Sequence, residues 1–144
     1  KQAIRHFGVK VKLNAVREVL AGKRVILVDD SIVRGTTSAK IVGMVLAAGA
    51  KEVHMRISAP PTIGPCHYGI DTPDRDQLIA ANQTQEQIRE HLGCNSLAYL
   101  SLDGLYRGMG GREPGYCDAC FSDNYPVAPD QATPQMSLLR EETV

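Results

Sequence analysis

Val25-Ile26-Leu27-Val28-Asp29-Asp30-Ser31-Ile32-Val33-Arg34-Gly35-Thr36-Thr37 is the stretch that decides the fold. Residues 25–28 are a continuous apolar run closed by two acids, which is how a strand buried on both faces of a parallel sheet reads. Thr36 or Thr37 can cap a following helix. The apolar positions Ile41, Val42, Val45, Leu46 and Ala48 then recur at helical spacing, and Gly49 ends the pattern. Val53, Met55 and Ile57 alternate with polar residues as the next strand. The unit is β–α–β, which implies a right-handed crossover in a parallel sheet.

Each part of the loop between strand and helix has a chemical use. Asp29 and Asp30 fall at the carboxyl end of the strand, where open α/β sheets bind ligands. Adjacent carboxylates there can accept hydrogen bonds from vicinal ribose hydroxyls and hold a hard cation such as magnesium. Ser31, Ile32, Val33, Arg34, Gly35, Thr36 and Thr37 can wrap an anion. Gly35 permits close backbone approach, and the two threonines offer hydroxyls and amides at a helix N-terminus. Arg34 can contact phosphate or face solvent. A P-loop needs Gly-x-x-x-x-Gly-Lys-Ser/Thr, and no Lys follows Gly35. Gly108, Gly110 and Gly111 do not follow a strand as a dinucleotide fingerprint requires. A receiver-type acidic pocket does not need Arg-Gly-Thr-Thr, and a plain helix-capping turn leaves the two acids, the glycine and the threonines without a common reason.

Working outward, Val9, Val11 and Leu13 alternate with Lys10 and Lys12 as a half-exposed strand, and residues 14–21 read as a short helix. Beyond Ser58, Pro60-Pro61, Gly64-Pro65 and Gly69 make an ordered loop. Residues 76–81 and 86–92 read as short helices, the second with Thr84 as N-cap; residues 96–100 read as a strand and 102–109 as a further helix. After Gly110 the chain turns to Gly, Pro, Asp and Cys, and after Tyr125 to a poorly packed tail. The expected organisation is a partial α/β domain over 1–110, a Cys-x-x-Cys loop over 111–126 and a tail over 127–144.

A chain of 144 residues with 43% hydrophobic content supports a packed core. Net charge of +0 argues against a general nucleic-acid binder. No apolar run approaches the ~20 residues of a membrane span, and no signal-peptide pattern opens the chain. Residues 1–24 hold seven Lys/Arg against Glu18 alone, which suits either a basic approach to a phosphate site or a solvated surface. The first residue is Lys, and the sequence enters directly into what reads as domain interior, so a fragment is expected.

Cys66, Cys94, Cys117 and Cys120, without a secretion signal, point to reduced thiols or metal ligation before disulfides. Cys117-Asp118-Ala119-Cys120 alone admits zinc, iron–sulfur, redox or coincidence. It lacks the helix start after a strand of a thioredoxin-type pair. Four cysteines also suit one complete site, and a zinc site with His67 beside Cys66 is a weaker option, since adjacent residues rarely chelate one ion. Small buried thiols are common, which favours a structural role for Cys94. His6, His54 and His91 read as surface or core residues.

Residues 29–37 resemble the phosphoribosylpyrophosphate-binding signature of type I phosphoribosyltransferases. With Lys10-Val11-Lys12-Leu13-Asn14 before them, and Ser58-Ala59-Pro60-Pro61 and Pro65-Cys66-His67-Tyr68-Gly69-Ile70-Asp71 after, the chain resembles the glutamine phosphoribosylpyrophosphate amidotransferase family from about Gln2 to Pro126. The resemblance implies a type I phosphoribosyltransferase-like parallel sheet flanked by helices, with a C-terminal Cys-bearing extension. It implies an enzyme making 5-phosphoribosylamine, glutamate and pyrophosphate, the first step of de novo purine synthesis. Asp29 and Asp30 would hold ribose and magnesium, and Ser31 to Thr37 the 5-phosphate; no catalytic nucleophile is expected here. Cys66, Cys117 and Cys120 would be three ligands of a 4Fe–4S cluster, with the fourth upstream of Lys1; the family has no ligand at the position of Cys94. The resemblance also implies ammonia from an absent glutaminase domain, feedback by purine nucleotides, a homo-oligomer, no nucleic-acid or membrane partner, and a cytoplasmic or, in a plant, stromal location. On this reading the fragment alone is inactive. A non-catalytic phosphoribosylpyrophosphate-binding regulator, or another type I phosphoribosyltransferase, is the alternative.

Overall fold

The computed structural model describes residues 14–112 and 115–127. In chain order it contains α1 (Arg17–Leu20), β1 (Arg24–Asp29), α2 (Thr36–Ala47), β2 (Glu52–Ile57), a 3-10 turn (Arg75–Gln77), α3 (Ile79–Asn82), α4 (Gln85–Leu92), β3 (Ser96–Tyr99), α5 (Leu102–Gly108) and α6 (Ala119–Ser122). The three strands form one parallel sheet in the order β1-β2-β3. Val25 faces Val53 and Asp29 faces Ile57 in the first pair, and Met55 faces Leu97 in the second. The α/β class and the parallel β–α–β unit are therefore as the sequence indicated. The strand expected over residues 9–13 lies outside the described residues.

Alternation in β2 buries Val53, Met55 and Ile57. They pack with Val42 and Val45 of α2, Ile88 and Leu92 of α4, and Leu97 of β3 in one hydrophobic cluster. Fully burying an aliphatic side chain of this size stabilises the fold by about 1.5–3 kcal/mol. Thr84 caps α4 in a reciprocal box: its hydroxyl accepts from the Gln87 amide, and the Gln87 side chain accepts from the Thr84 amide.

Three expectations are corrected. β1 is not buried on both faces: Ile26 and Val28 are 64% and 74% exposed, because among the described residues the helices cover one face of the sheet and β1 is its edge. The helix expected over 76–81 is split at Leu78, whose backbone is extended. The Asn82 side-chain nitrogen Nδ2 donates to the carbonyls of Arg75, Asp76 and Leu78, which holds the two pieces as separate turns. Finally, neither Thr36 nor Thr37 is the cap of α2. That position belongs to Gly35, at φ +74°.

Candidate functional site

The loop leaves β1 at Asp29 and enters α2 at Thr36. Its entry is fixed by Ser58, whose amide and hydroxyl both donate to the Asp29 carbonyl, at 2.9 and 3.2 Å. The Asp29 carboxylate accepts from the Asp30 amide at 3.0 Å, and the Asp30 carboxylate accepts from the Ser31 amide at 2.6 Å. Each bond uses Oδ1. Among the described residues, Oδ2 of each aspartate has no side-chain or backbone donor, so both carboxylates keep an oxygen for a ligand. Asp30 is exposed and Asp29 half-buried.

Ile32 turns inward into the core, so it can serve a ligand only through its backbone. Val33 is half-buried, and its carbonyl accepts from the Ile79 amide at 2.9 Å. Thr36 and Thr37 stand exposed in the first turn of α2, and among the described residues neither hydroxyl has a hydrogen-bond partner. Because Gly35 in the left-handed region forms the cap, neither threonine hydroxyl is spent on the helix. An anion at this end meets unpaired amides and the positive end of a twelve-residue helix. Arg34 settles between its two readings in a third way. Its Nε and one terminal nitrogen donate to Gln77 Oε1 at 3.1 and 2.8 Å.

The cysteines divide as a structural and a surface group, and all four are free thiols. Cys94 is 2% exposed within the core cluster, and burial pushes its thiol up from the usual range. That is a packing role. Cys66 and Cys120 are half-buried and Cys117 is exposed. The amides of Ile63 and Gly64 both donate to the Cys120 carbonyl, at 2.8 and 3.1 Å, which ties the two cysteine segments together. The Cys120 thiol is raised mainly by burial and further by the nearby Cys66 and Cys117. Among the described residues, no three His, Cys, Asp or Glu side chains converge closely enough to hold one metal ion.

Several residues that hold this region carried no sequence signal. The Tyr125 hydroxyl donates to the Pro65 carbonyl at 2.7 Å, and its ring packs edge-on to His67. Gly64 has no room for a side chain, since a Cβ would stand against the Tyr125 hydroxyl. Asp118, inside the Cys-x-x-Cys, accepts from Tyr106 and Arg112, both at 2.7 Å, and from Ser122 at 2.8 Å. The Tyr106 hydroxyl is the first cause, ahead of Ser122 and Arg112, that keeps the Asp118 carboxyl below its ordinary range against the opposing effect of burial. Cys120 lies in the short helix α6 rather than in a plain loop.

No protein-family model matches the chain. It is 55% identical over 137 residues to the chloroplastic amidophosphoribosyltransferase of Vigna aconitifolia, covering 95% of this chain and 28% of that protein. It is 55% identical over 129 residues to the amidophosphoribosyltransferase of Archaeoglobus fulgidus, covering 88% of this chain and 28% of that protein. Among solved structures it matches a glutamine phosphoribosylpyrophosphate amidotransferase from B. subtilis complexed with ADP and GMP. The TM-score is 0.80 at 50% identity, over 91% of this chain and 30% of that one. The chain thus spans less than a third of the length of these relatives. About half its residues are shared across most of its length, on the same arrangement of strands and helices, and the chain is a segment of the amidophosphoribosyltransferase family.

Proposed function

We propose that this segment supplies the phosphoribosylpyrophosphate-binding loop of an enzyme that converts phosphoribosylpyrophosphate and glutamine to 5-phosphoribosylamine, glutamate and pyrophosphate, opening de novo purine synthesis. The observation that carries the reading is the loop from Asp29 to Thr37. It combines two carboxylates with free oxygens at a strand end and a glycine-capped helix N-terminus with unspent donors. Departure of pyrophosphate leaves positive charge on the ribose ring, and Asp29 and Asp30 would accept hydrogen bonds from the ribose hydroxyls. The amides and hydroxyls of Ser31 to Thr37 anchor the 5-phosphate and so fix the sugar for attack by ammonia.

Two exposed or half-exposed carboxylates suit magnesium, which takes one or two protein carboxylates and completes its shell with water and substrate phosphates. Asp29 and Asp30 would hold it, and it would neutralise charge on the leaving pyrophosphate. Three free thiols from two segments joined at Cys120 suit the soft ligand set of an iron–sulfur cluster, with Cys66, Cys117 and Cys120 as ligands. A bound cluster would crosslink those segments. Residues 1–110 then form the phosphoribosyl part, 111–126 the cluster loop and 127–144 a tail.

Glutamine-derived ammonia, purine nucleotides as feedback ligands and a homo-oligomeric assembly belong to the same reading. The ADP and GMP bound to the B. subtilis relative support the nucleotide part. Free thiols and the chloroplastic relative suit the cytoplasm or an organelle stroma. Among the described residues no helix is long and apolar enough to cross a membrane.

The test uses the full-length protein with ammonia as nucleophile. Asp30→Ala should lower phosphoribosylpyrophosphate-dependent pyrophosphate release by about 100-fold or more, the scale of losing a preorganised charge contact. A rate equal to wild type would remove the loop from the chemistry. Binding without any pyrophosphate release by the wild type would instead favour a regulator.

A further inference from the structure

We propose that Gln77, Ile79 and His91 are positioning residues that hold the phosphate loop from behind and set its affinity for a phosphoribosyl group. The inference rests on the phosphoribosyl reading of that loop. Three features converge on residues 33–35. Arg34 commits Nε and a terminal nitrogen to Gln77 Oε1, at 3.1 and 2.8 Å. The Ile79 amide donates to the Val33 carbonyl at 2.9 Å. Gly35 is buried in the left-handed region, and a Cβ there would stand 2.9 Å from Ile79 Cδ1 and 3.3 Å from His91 Cδ2.

The loop needs this support. Arg34, Thr36 and Thr37 are all exposed, so past the half-buried Asp29 and Ser31 the loop rests against the protein interior through Ile32, Val33 and Gly35. A loop that must wrap an anion with its own amides binds weakly when those amides are ordered only on binding. Gln77, Ile79 and His91 supply that order beforehand. Gln77 is itself held, because Asn82 donates to the carbonyls of Arg75, Asp76 and Leu78 and so fixes the turn that carries it. His91 reaches Gly35 from the last turn of α4, so the loop is braced by a helix anchored in the core. The bond to Gln77 also explains the role of Arg34. It fastens the loop rather than waiting for the ligand.

Gln77 is exposed, so its replacement should leave the fold intact. In the full-length protein, Gln77→Leu removes the acceptor and Gln77→Glu keeps one. Calorimetry with ribose 5-phosphate should show Gln77→Leu weakened about tenfold, the scale of a lost outer-shell partner. KM for phosphoribosylpyrophosphate should rise alongside, with kcat within about two-fold and the melting temperature unchanged. Gln77→Glu should restore both affinities. Wild-type affinity in Gln77→Leu, or a loss that Gln77→Glu does not repair, overturns the brace. Should the wild type bind no ribose 5-phosphate, the phosphoribosyl reading falls, and amide exchange then decides the brace on its own. Faster exchange at residues 33–37 in Gln77→Leu and in His91→Ala supports it, and unchanged exchange overturns it.

Discussion

Behind the phosphate loop stand Ile32, Val42, Ile79 and Ile88, all members of one buried cluster. Behind Cys66 and Cys120 the support is of another kind. Among the described residues nothing beyond Tyr99 joins that cluster, and the cysteine segments are tied by Tyr125 to Pro65, Asp118 to Tyr106 and Arg112, and Arg75 to Asp123. A hydrophobic core gives a loop a rigid back at little cost in specificity. Polar ties between short segments each contribute only about 0.5–1.5 kcal/mol and depend on charge state. On the proposed function, the first region is ordered before a ligand arrives, and the second gains most from a crosslink.

That contrast can be broken most sharply at Ile88. Ile88→Ala should cost about 2–5 kcal/mol in denaturant unfolding, because the buried side chain leaves a cavity directly within the core that backs the loop. A loss below about 1 kcal/mol would mean the core does not carry the loop.

Acid should separate the two regions next. The Asp118 carboxyl is depressed in the folded state, first by Tyr106 and then by Ser122 and Arg112. A depressed acid contributes stability that is present above its unfolded value of about 3.9 and is lost as pH falls through the lower folded value. Amide exchange at residues 115–127 should therefore rise below about pH 4 while α2 and β2 stay protected. Asp118→Asn should raise that exchange already at neutral pH. If both regions open together in acid, the polar ties are not what distinguishes them.

The smallest effect lies at the end of β3. The Tyr99 hydroxyl is buried with no hydrogen-bond partner among the described residues, and burial pushes its pKa up to about 12. A raised pKa means full stability below the unfolded value of about 10, lost as pH rises towards about 12. Tyr99→Phe removes an unsatisfied group and should be neutral or stabilising by up to about 1 kcal/mol, with the alkaline loss reduced. Destabilisation in thermal melts would show that the hydroxyl has a partner after all.

How much of this was legible follows the same divide. Val25 to Thr37 is thirteen contiguous residues whose chemistry depends on order along the chain, so strand, acids, glycine and helix could all be read directly. Even there, the sequence pointed to a threonine cap where Gly35 serves, because a left-handed backbone leaves no mark beyond the glycine itself. The apolar run of β1 suggested burial on both faces, yet what covers a face is a property of neighbours and not of the strand. Cys94 was read correctly as a packing residue. Gln77, His91 and Tyr125 were invisible because each acts on a segment distant in sequence, and Asp118 because no spacing rule connects it to Tyr106 and Arg112.

On the proposed function, Asp29 and Asp30 prepare this loop for a magnesium-bound phosphoribosyl group. Calorimetric titration of phosphoribosylpyrophosphate into the full-length protein, with and without magnesium, tests it most directly when wild type is compared with Asp29→Asn/Asp30→Asn. Binding should strengthen with magnesium in the wild type and lose that dependence in the double variant. Equal, magnesium-dependent binding by both proteins would contradict it.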